Sequence, residues 1–235
     1  MSLVNSALLS WISSYEAKRK RLLKKAPKGA LFDFLSIPFP ALNTPVDKLD
    51  ILSLDFETTG LDPKLDQLLS IGFVPISKGQ IKLNSCFHSI IKNGLLLDKS
   101  NVVIHHITDS QKNEGEMLAT VVEMLLKALA GKVMLAHYSS IEVQFLRQAC
   151  LKLYGIAPVF PVIDTLVIAK RYLDKRDLPY DPSQLRLSNL RHHYKLPEHR
   201  GHNALNDAIA TAELFLVQLA HQHRSSKLIL KDIIL

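Results

Sequence analysis

The stretch Ile51-Leu52-Ser53-Leu54-Asp55-Phe56-Glu57-Thr58-Thr59-Gly60 decides how the rest of the chain reads. It opens as an apolar run of strand character, Ile51 to Leu54, and turns away at Thr58-Thr59-Gly60. Asp55 and Glu57 lie two apart, and on a strand residues i and i+2 share a face. Both carboxylates therefore project together from the end of a strand that Ile51, Leu52 and Leu54 mark as buried. Two like charges there repel unless something positive sits between them, and a divalent cation with oxygen ligands answers that most simply. The competing reading is a surface strand with an acidic face.

Upstream, residues 3–25 pattern as an amphipathic helix, with Val4, Leu8, Trp11, Ile12, Tyr15 and Leu22 largely at three- and four-residue steps. Its second half is basic. Residues 1–30 hold seven Lys and Arg against Glu16, a net +6 of the chain's +7. The remaining body is nearly neutral and does not by itself announce a nucleic-acid binder. Three readings of the helix stand side by side: packing on the body, docking a partner protein, or lying along a phosphate backbone or anionic membrane surface. Ala26 to Asp47 reads as a connector broken by Pro27, Pro38, Pro40 and Pro45. Phe32, Phe34, Phe39 and Leu42 lay it on the body.

Downstream, three strands are expected at Ile51–Phe56, Gln67–Ile76 and Gln80–Ile91, joined by short turns as an antiparallel meander. A helix from about Glu116 to Leu129 follows, then a buried strand at Val133–Ala136 and a helix at Ser139–Tyr154. Val159–Ile163 reads as a strand, Asp164–Leu173 as a helix, Asp174–Pro182 as a charged loop, and Ser183–Tyr194 and Asn203–His223 as helices. Strands first and alternation later give an α/β chain, a mixed sheet flanked by helices. The apolar segment Leu228–Leu235 is costly to expose, so it folds back on the body or binds a partner chain.

Two more acidic signals accompany the first. Leu135 to Glu142 runs from a strand into a helix and puts Glu142 one turn in. Gly201 to Ala208 starts the last helix, with His202 at its N-terminus and Asp207 one turn down. Singly, each has an ordinary reading: Glu142 a solvated helix residue, Asp207 a first-turn acid favoured by the helix dipole, His202 a capping residue.

Together, Asp55-x-Glu57-Thr58-Thr59-Gly60, the His137 to Glu142 stretch and His202-x-Ala204-Leu205-x-Asp207-Ala208 resemble the three motifs of the DEDDh 3′–5′ exonucleases. The similarity is to the epsilon-like, proofreading-subunit branch of bacterial DNA polymerase III. It spans about residues 50–220 and includes Val103-Ile104-His105-His106-Ile107-Thr108 and Ile163-Asp164-Thr165-Leu166. The resemblance implies a ribonuclease H-like fold and two divalent cations, Mg²⁺ or Mn²⁺. Paired cations about 3.5–4 Å apart clamp the attacking and leaving oxygens of a phosphodiester in line. It makes Asp55, Glu57 and Asp207 direct ligands, with Glu142 the fourth acid, and His202 the general base. It gives Thr58, Thr59, Gly60 and His105 to substrate, and makes His106 and Asp164 structural. Two positions depart from the pattern: Glu142 stands where the family carries Asp, and Tyr138 where it carries Asn.

The domain expectation is a basic helix and connector over 1–48, an exonuclease domain over 49–223 and an apolar tail over 224–235. The expected activity is metal-dependent hydrolysis from the 3′ end of single-stranded DNA, with RNA as the rival polymer. A binding or scaffold module that kept the fold and lost turnover is the alternative of a different class. A polymerase or other protein partner would dock through residues 1–25 or 228–235. No run is long enough to span a bilayer and no secretion signal is visible, so the expected compartment is the cytoplasm. Cys86 and Cys150 are expected to be reduced, buried thiols.

Overall fold

Alternate side chains of the first strand enter two different cores, which is why neighbouring Ile51 and Leu52 are both apolar and both buried. The computed structural model describes residues 15–92, 114–222 and 228–235. Strand β1 (Asp50–Thr58) pairs antiparallel with β2 (Leu68–Ser77), and β2 pairs antiparallel with β3 (Gln80–Ile81) and β4 (Phe87–Ile90). On its other edge β1 runs parallel to β5 (Val133–Ala136), which runs parallel to β6 (Val162–Asp164). The strand order is β3-β2-β1-β5-β6, with β4 also on β2.

Leu52, Leu54 and Phe56 face one core with α2 (Ala30–Ser36), α3 (Leu118–Leu129) and α4 (Ser140–Tyr154). Ile51 faces the other, with Val74, Ile76 and Phe215 of the long helix α7 (Ala204–Gln222). Helix α5 (Thr165–Asp174) leads into the exposed stretch 175–179 and then to α6 (Leu187–His193), which packs with α5 and α7 in a third, smaller cluster. This mixed sheet with helices on both faces is a ribonuclease H-like fold. Among the described residues no helix is long and apolar enough to cross a membrane.

Several elements differ from the sequence expectation. The third strand is interrupted: Lys82 donates to Pro75 O at 2.8 Å, exposed Leu83–Ser85 form a 3₁₀ turn, and pairing resumes at β4. The connector holds α2, because Leu31, Phe34 and Leu35 recur at helical spacing and all three are buried, whereas Phe32 is exposed. The Ser183–Tyr194 helix is split. Asp181 accepts from Ser183 N at 2.7 Å to cap a 3₁₀ turn over Pro182–Leu185, and extended Arg186 separates it from α6. Cys86 is exposed, on the interruption after β3, while Cys150 is buried, and burial pushes its thiol up to about 12.

The N-terminal extension is helical over residues 15–23, labelled α1, and is anchored. Arg19 is buried; its guanidinium donates to Leu35 O and to the Glu16 carboxylate at 2.6 and 2.7 Å. Residues 3–14 of the expected helix lie outside the described residues, as do 224–227. The terminal segment is no free docking tail. Val46 N donates to Leu228 O, Leu230 N to Thr44 O and Leu235 N to Val162 O. Leu230, Ile233 and Ile234 are buried, with Leu230 and Ile233 on the short helix α8 (Leu230–Ile233). Residues on both sides of positions 48 and 223 share the same cores.

Candidate metal centre and active site

The site forms at the C-terminal end of β1, where α7 and α4 begin. Ser53, Asp55 and Glu57 alternate onto the face that α7 covers, and Ser53 Oγ donates to Ala208 O at 2.7 Å. Asp55 pairs across the sheet with Gly72. A Cβ on Gly72 would fall 2.2 Å from Leu205 N and 2.3 Å from the Ala204 carbonyl carbon. Only glycine lets the start of α7 lie this close to the sheet. That approach brings Asp207, one turn into α7, to Asp55 and Glu57. Carboxylate oxygens of Asp55, Glu57 and Asp207 all lie within 4.8 Å of one another.

Glu142 sits in the first turn of α4 and is 3% exposed, so the solvated-residue reading is wrong. Its Oε2 is buried with no hydrogen-bond partner. Burial pushes the Glu142 carboxyl up to about 8, helped by Asp164 and Glu57. Burial also holds Asp55 well above the usual carboxylate range, and the charges of Glu142, Asp207 and Glu57 add to it. Asp207 is raised by burial, a shift opposed by His199. Three clustered carboxylates and an orphaned buried fourth suit divalent cations with hard oxygen ligands: each charge that is costly alone becomes favourable beside a cation.

Asp164 holds the entrance to α4 in place. Its carboxylate accepts from Tyr138 N (3.1 Å), Ser139 N (2.8 Å), Ser139 Oγ (2.9 Å) and Leu166 N (2.9 Å), so it caps α5 and fixes the loop that aims Glu142. Tyr138 adopts a left-handed φ of 61° in that loop.

Two histidines lie at Asp207. His202 is exposed, with a left-handed φ of 64° just before α7, and reaches Asp207 through its backbone N–H. An imidazole that touches the cluster is that of His199, whose Nε2 lies 3.0 Å from Asp207 Oδ1. The sequence reading missed His199; the one available signal was a second histidine within eight residues of Asp207. Asn203 N donates to Asp207 Oδ2 at 3.2 Å, so both oxygens already have partners.

The Thr58-Thr59-Gly60 turn is held internally. Thr58 Oγ1 donates to Gly60 O at 2.6 Å, and Thr59 Oγ1 donates to Asp66 at 3.0 Å while accepting from Gln67 N. Both hydroxyls are engaged within the turn, as are Gly60 O and Thr59 N, which donates to Gln67 O at 3.0 Å. His105, with the Val103–Thr108 stretch, lies outside the described residues.

The model of the RNase_T exonuclease family matches residues 52–215. The chain belongs to this exonuclease family. Its relatives include the PolC-type DNA polymerase III of Thermotoga petrophila, 34% identical over 69% of this chain and 11% of the relative. The DNA polymerase III subunit epsilon of Treponema pallidum is 29% identical over 74% of this chain and 78% of that protein. The chain thus spans about a tenth of the PolC-type polymerase that it matches. Among solved structures, the nuclease domain of 3′hExo, a DEDDh family member, bound to rAMP, superimposes with a TM-score of 0.63 at 19% identity, covering 79% of this chain and all of that one. Escherichia coli exonuclease I in complex with a dA16 oligonucleotide gives 0.65 at 17% identity, over 79% of this chain and 42% of that one. The chain thus carries a domain of the exonuclease family, and its fold is shared with a DEDDh nuclease domain.

Proposed function

We propose that this exonuclease removes nucleotides one at a time from the 3′ end of single-stranded DNA, with two divalent cations, Mg²⁺ or Mn²⁺. The observation that carries the reading is the convergence of Asp55, Glu57 and Asp207 within 4.8 Å beside the partnerless Glu142 Oε2. Asp55, Glu57 and Asp207 would hold the cations directly, with Glu142 at their side. When bound, the cations neutralise charge on the phosphoryl oxygens and orient the in-line displacement. To ligate, Asp207 gives up one of its present partners, His199 or Asn203 N. Water attacks phosphorus, the P–O3′ bond breaks, and a nucleoside 5′-monophosphate leaves a strand shorter by one with a free 3′-hydroxyl. His202 accepts the water's proton from the exposed side of the site, and the Thr58–Gly60 backbone faces the terminal nucleotide. His105 would be a further substrate contact. The polymerase relatives suggest a cytoplasmic place in DNA replication or repair, beside a polymerase.

The test uses 5′-labelled DNA and RNA oligomers with Mn²⁺ or EDTA. Stepwise 3′ shortening of DNA that EDTA stops is expected. Faster shortening of RNA moves the substrate to RNA, and binding without shortening makes the chain a scaffold. His202→Ala should lower turnover by about 10²–10⁴ with Mn²⁺ binding retained, and His199→Ala by less than about tenfold. The reverse pattern assigns the proton transfer to His199.

A further inference from the structure

Beside the α4 entrance lies an open cavity of about 700 Å³, within the size range of ligand clefts, roughly 300–1,000 Å³. Lys18 and Arg21 of α1 and Arg147 of α4 line it, and none of the three forms an ion pair among the described residues. Tyr15 and Tyr138 line it too, and Tyr138 is 53% exposed. Asp164, the one acidic side chain lining it among the described residues, is engaged by the backbone amides and the Ser139 hydroxyl that it caps. Basic groups interleaved with aromatic rings are what a single strand needs: phosphates pair with the cations while bases stack on the rings. The cavity adjoins the turn that leads to the site's fourth acid: Tyr138, Ser139 and Ser140 line it, and Glu142 follows two residues on in the first turn of α4. Buried Arg19 fixes α1 to α2, so Lys18 and Arg21 are presented from a docked helix.

We propose that this groove holds the single strand 5′ of the bond being cut, with Lys18, Arg21 and Arg147 on its phosphates and Tyr138 stacked on a base. The inference rests on the exonuclease reading above and adds the path of the polynucleotide. It makes α1 part of the substrate-binding surface, with affinity that grows with strand length and falls with salt.

Binding and cleavage are read separately. A fluorescent 20-mer with a phosphorothioate 3′ end is titrated by anisotropy in Ca²⁺ across a salt series, and an unmodified dinucleotide is cleaved in Mn²⁺. The variant is Lys18→Gln/Arg21→Gln/Arg147→Gln, all exposed positions, with thermal unfolding as the control for folding. Losing three phosphate contacts should weaken 20-mer binding at least tenfold at low salt. It should flatten the slope of log affinity against log salt by about 2, at about 0.7 per phosphate for single strands. Dinucleotide cleavage should not change. Tyr138→Asn, which suits the left-handed backbone, should cost affinity several-fold without altering the slope. Unchanged affinity and slope in the triple variant overturn the proposal, as does a wild-type protein that binds no 20-mer. Competition by a glutamate polymer as effective as by the oligonucleotide overturns it in favour of an acidic protein partner. Expected binding shifts without any cleavage in Mn²⁺ support the groove and remove the exonuclease reading alone.

Discussion

At the scale of single residues, the metal-free site is a source of instability. Burial and three neighbouring acids hold the Asp55 carboxyl well above its ordinary range. Asn there removes a group whose ionised form is unfavourable without a cation beside it. Asp55→Asn should therefore raise metal-free stability by about 1–2 kcal/mol while abolishing hydrolysis. Urea unfolding in EDTA checks the first part and the labelled-oligomer assay the second; a destabilised variant would mean that the carboxylates do not repel. Asp55 and Glu57 were legible in sequence because a strand's period of two gives only one way for both to point. Asp207 was legible through its place on a helix that starts with a recognisable motif. His199 was not, because it sits in an irregular segment where contact depends on the fold of the turn and no periodicity reports it. Tyr138 was noted only as a departure from the Asn of the family pattern. Its φ of 61° supplies a physical reason for that pattern, since Asn accepts the left-handed region more readily than Tyr does.

At the scale of elements, the distance between a strand and a helix end sets the chemistry. Gly72 is the spacer: with no side chain, it lets α7 start directly over the residue that pairs with Asp55. Gly72→Ala would press a methyl group into the Ala204–Leu205 backbone and must push α7 outward. The expected cost is about 3 kcal/mol or more, from overpacking of a backbone that cannot yield, with Mn²⁺ affinity lost as Asp207 withdraws. Thermal unfolding and Mn²⁺ titration of the variant measure both; near-normal values in each would show that α7 shifts freely. Elements with strong, long periodicity read correctly from the sequence, as α3, α4 and α7 do, and so did the apolar runs of β1 and β5. The errors fell where local chemistry overrode pattern. Exposed Leu83, Asn84 and Ser85 break a strand that the flanking residues would continue, and a proline-rich connector hid the Leu31, Phe34 and Leu35 stripe of α2.

At the scale of the whole molecule, the segment 228–235 is built into the core. Leu230, Ile233 and Ile234 are buried among residues of β1, β2 and α7. At about 1.5–3 kcal/mol for each side chain withdrawn from water, removing residues 228–235 forfeits an amount comparable with the 5–15 kcal/mol net stability of an ordinary domain. The truncated chain should not unfold cooperatively in urea followed by circular dichroism; a midpoint near that of the full chain would show the segment to be an appendage. Sequence alone left packing and partner docking open for this segment, because hydrophobicity says that a surface must be covered and not by what.

The exposed stretch 175–179 has a consequence of its own. A backbone severed there would leave Asp55, Glu57 and Glu142 on one fragment and Asp207, with both histidines, on the other. Neither half would hold the full acidic cluster by itself. Mixed, the halves would recover hydrolysis only as α7 re-entered its place on the sheet. The molecule is therefore laid out as a ready-made split reporter, whose signal is its own reassembly.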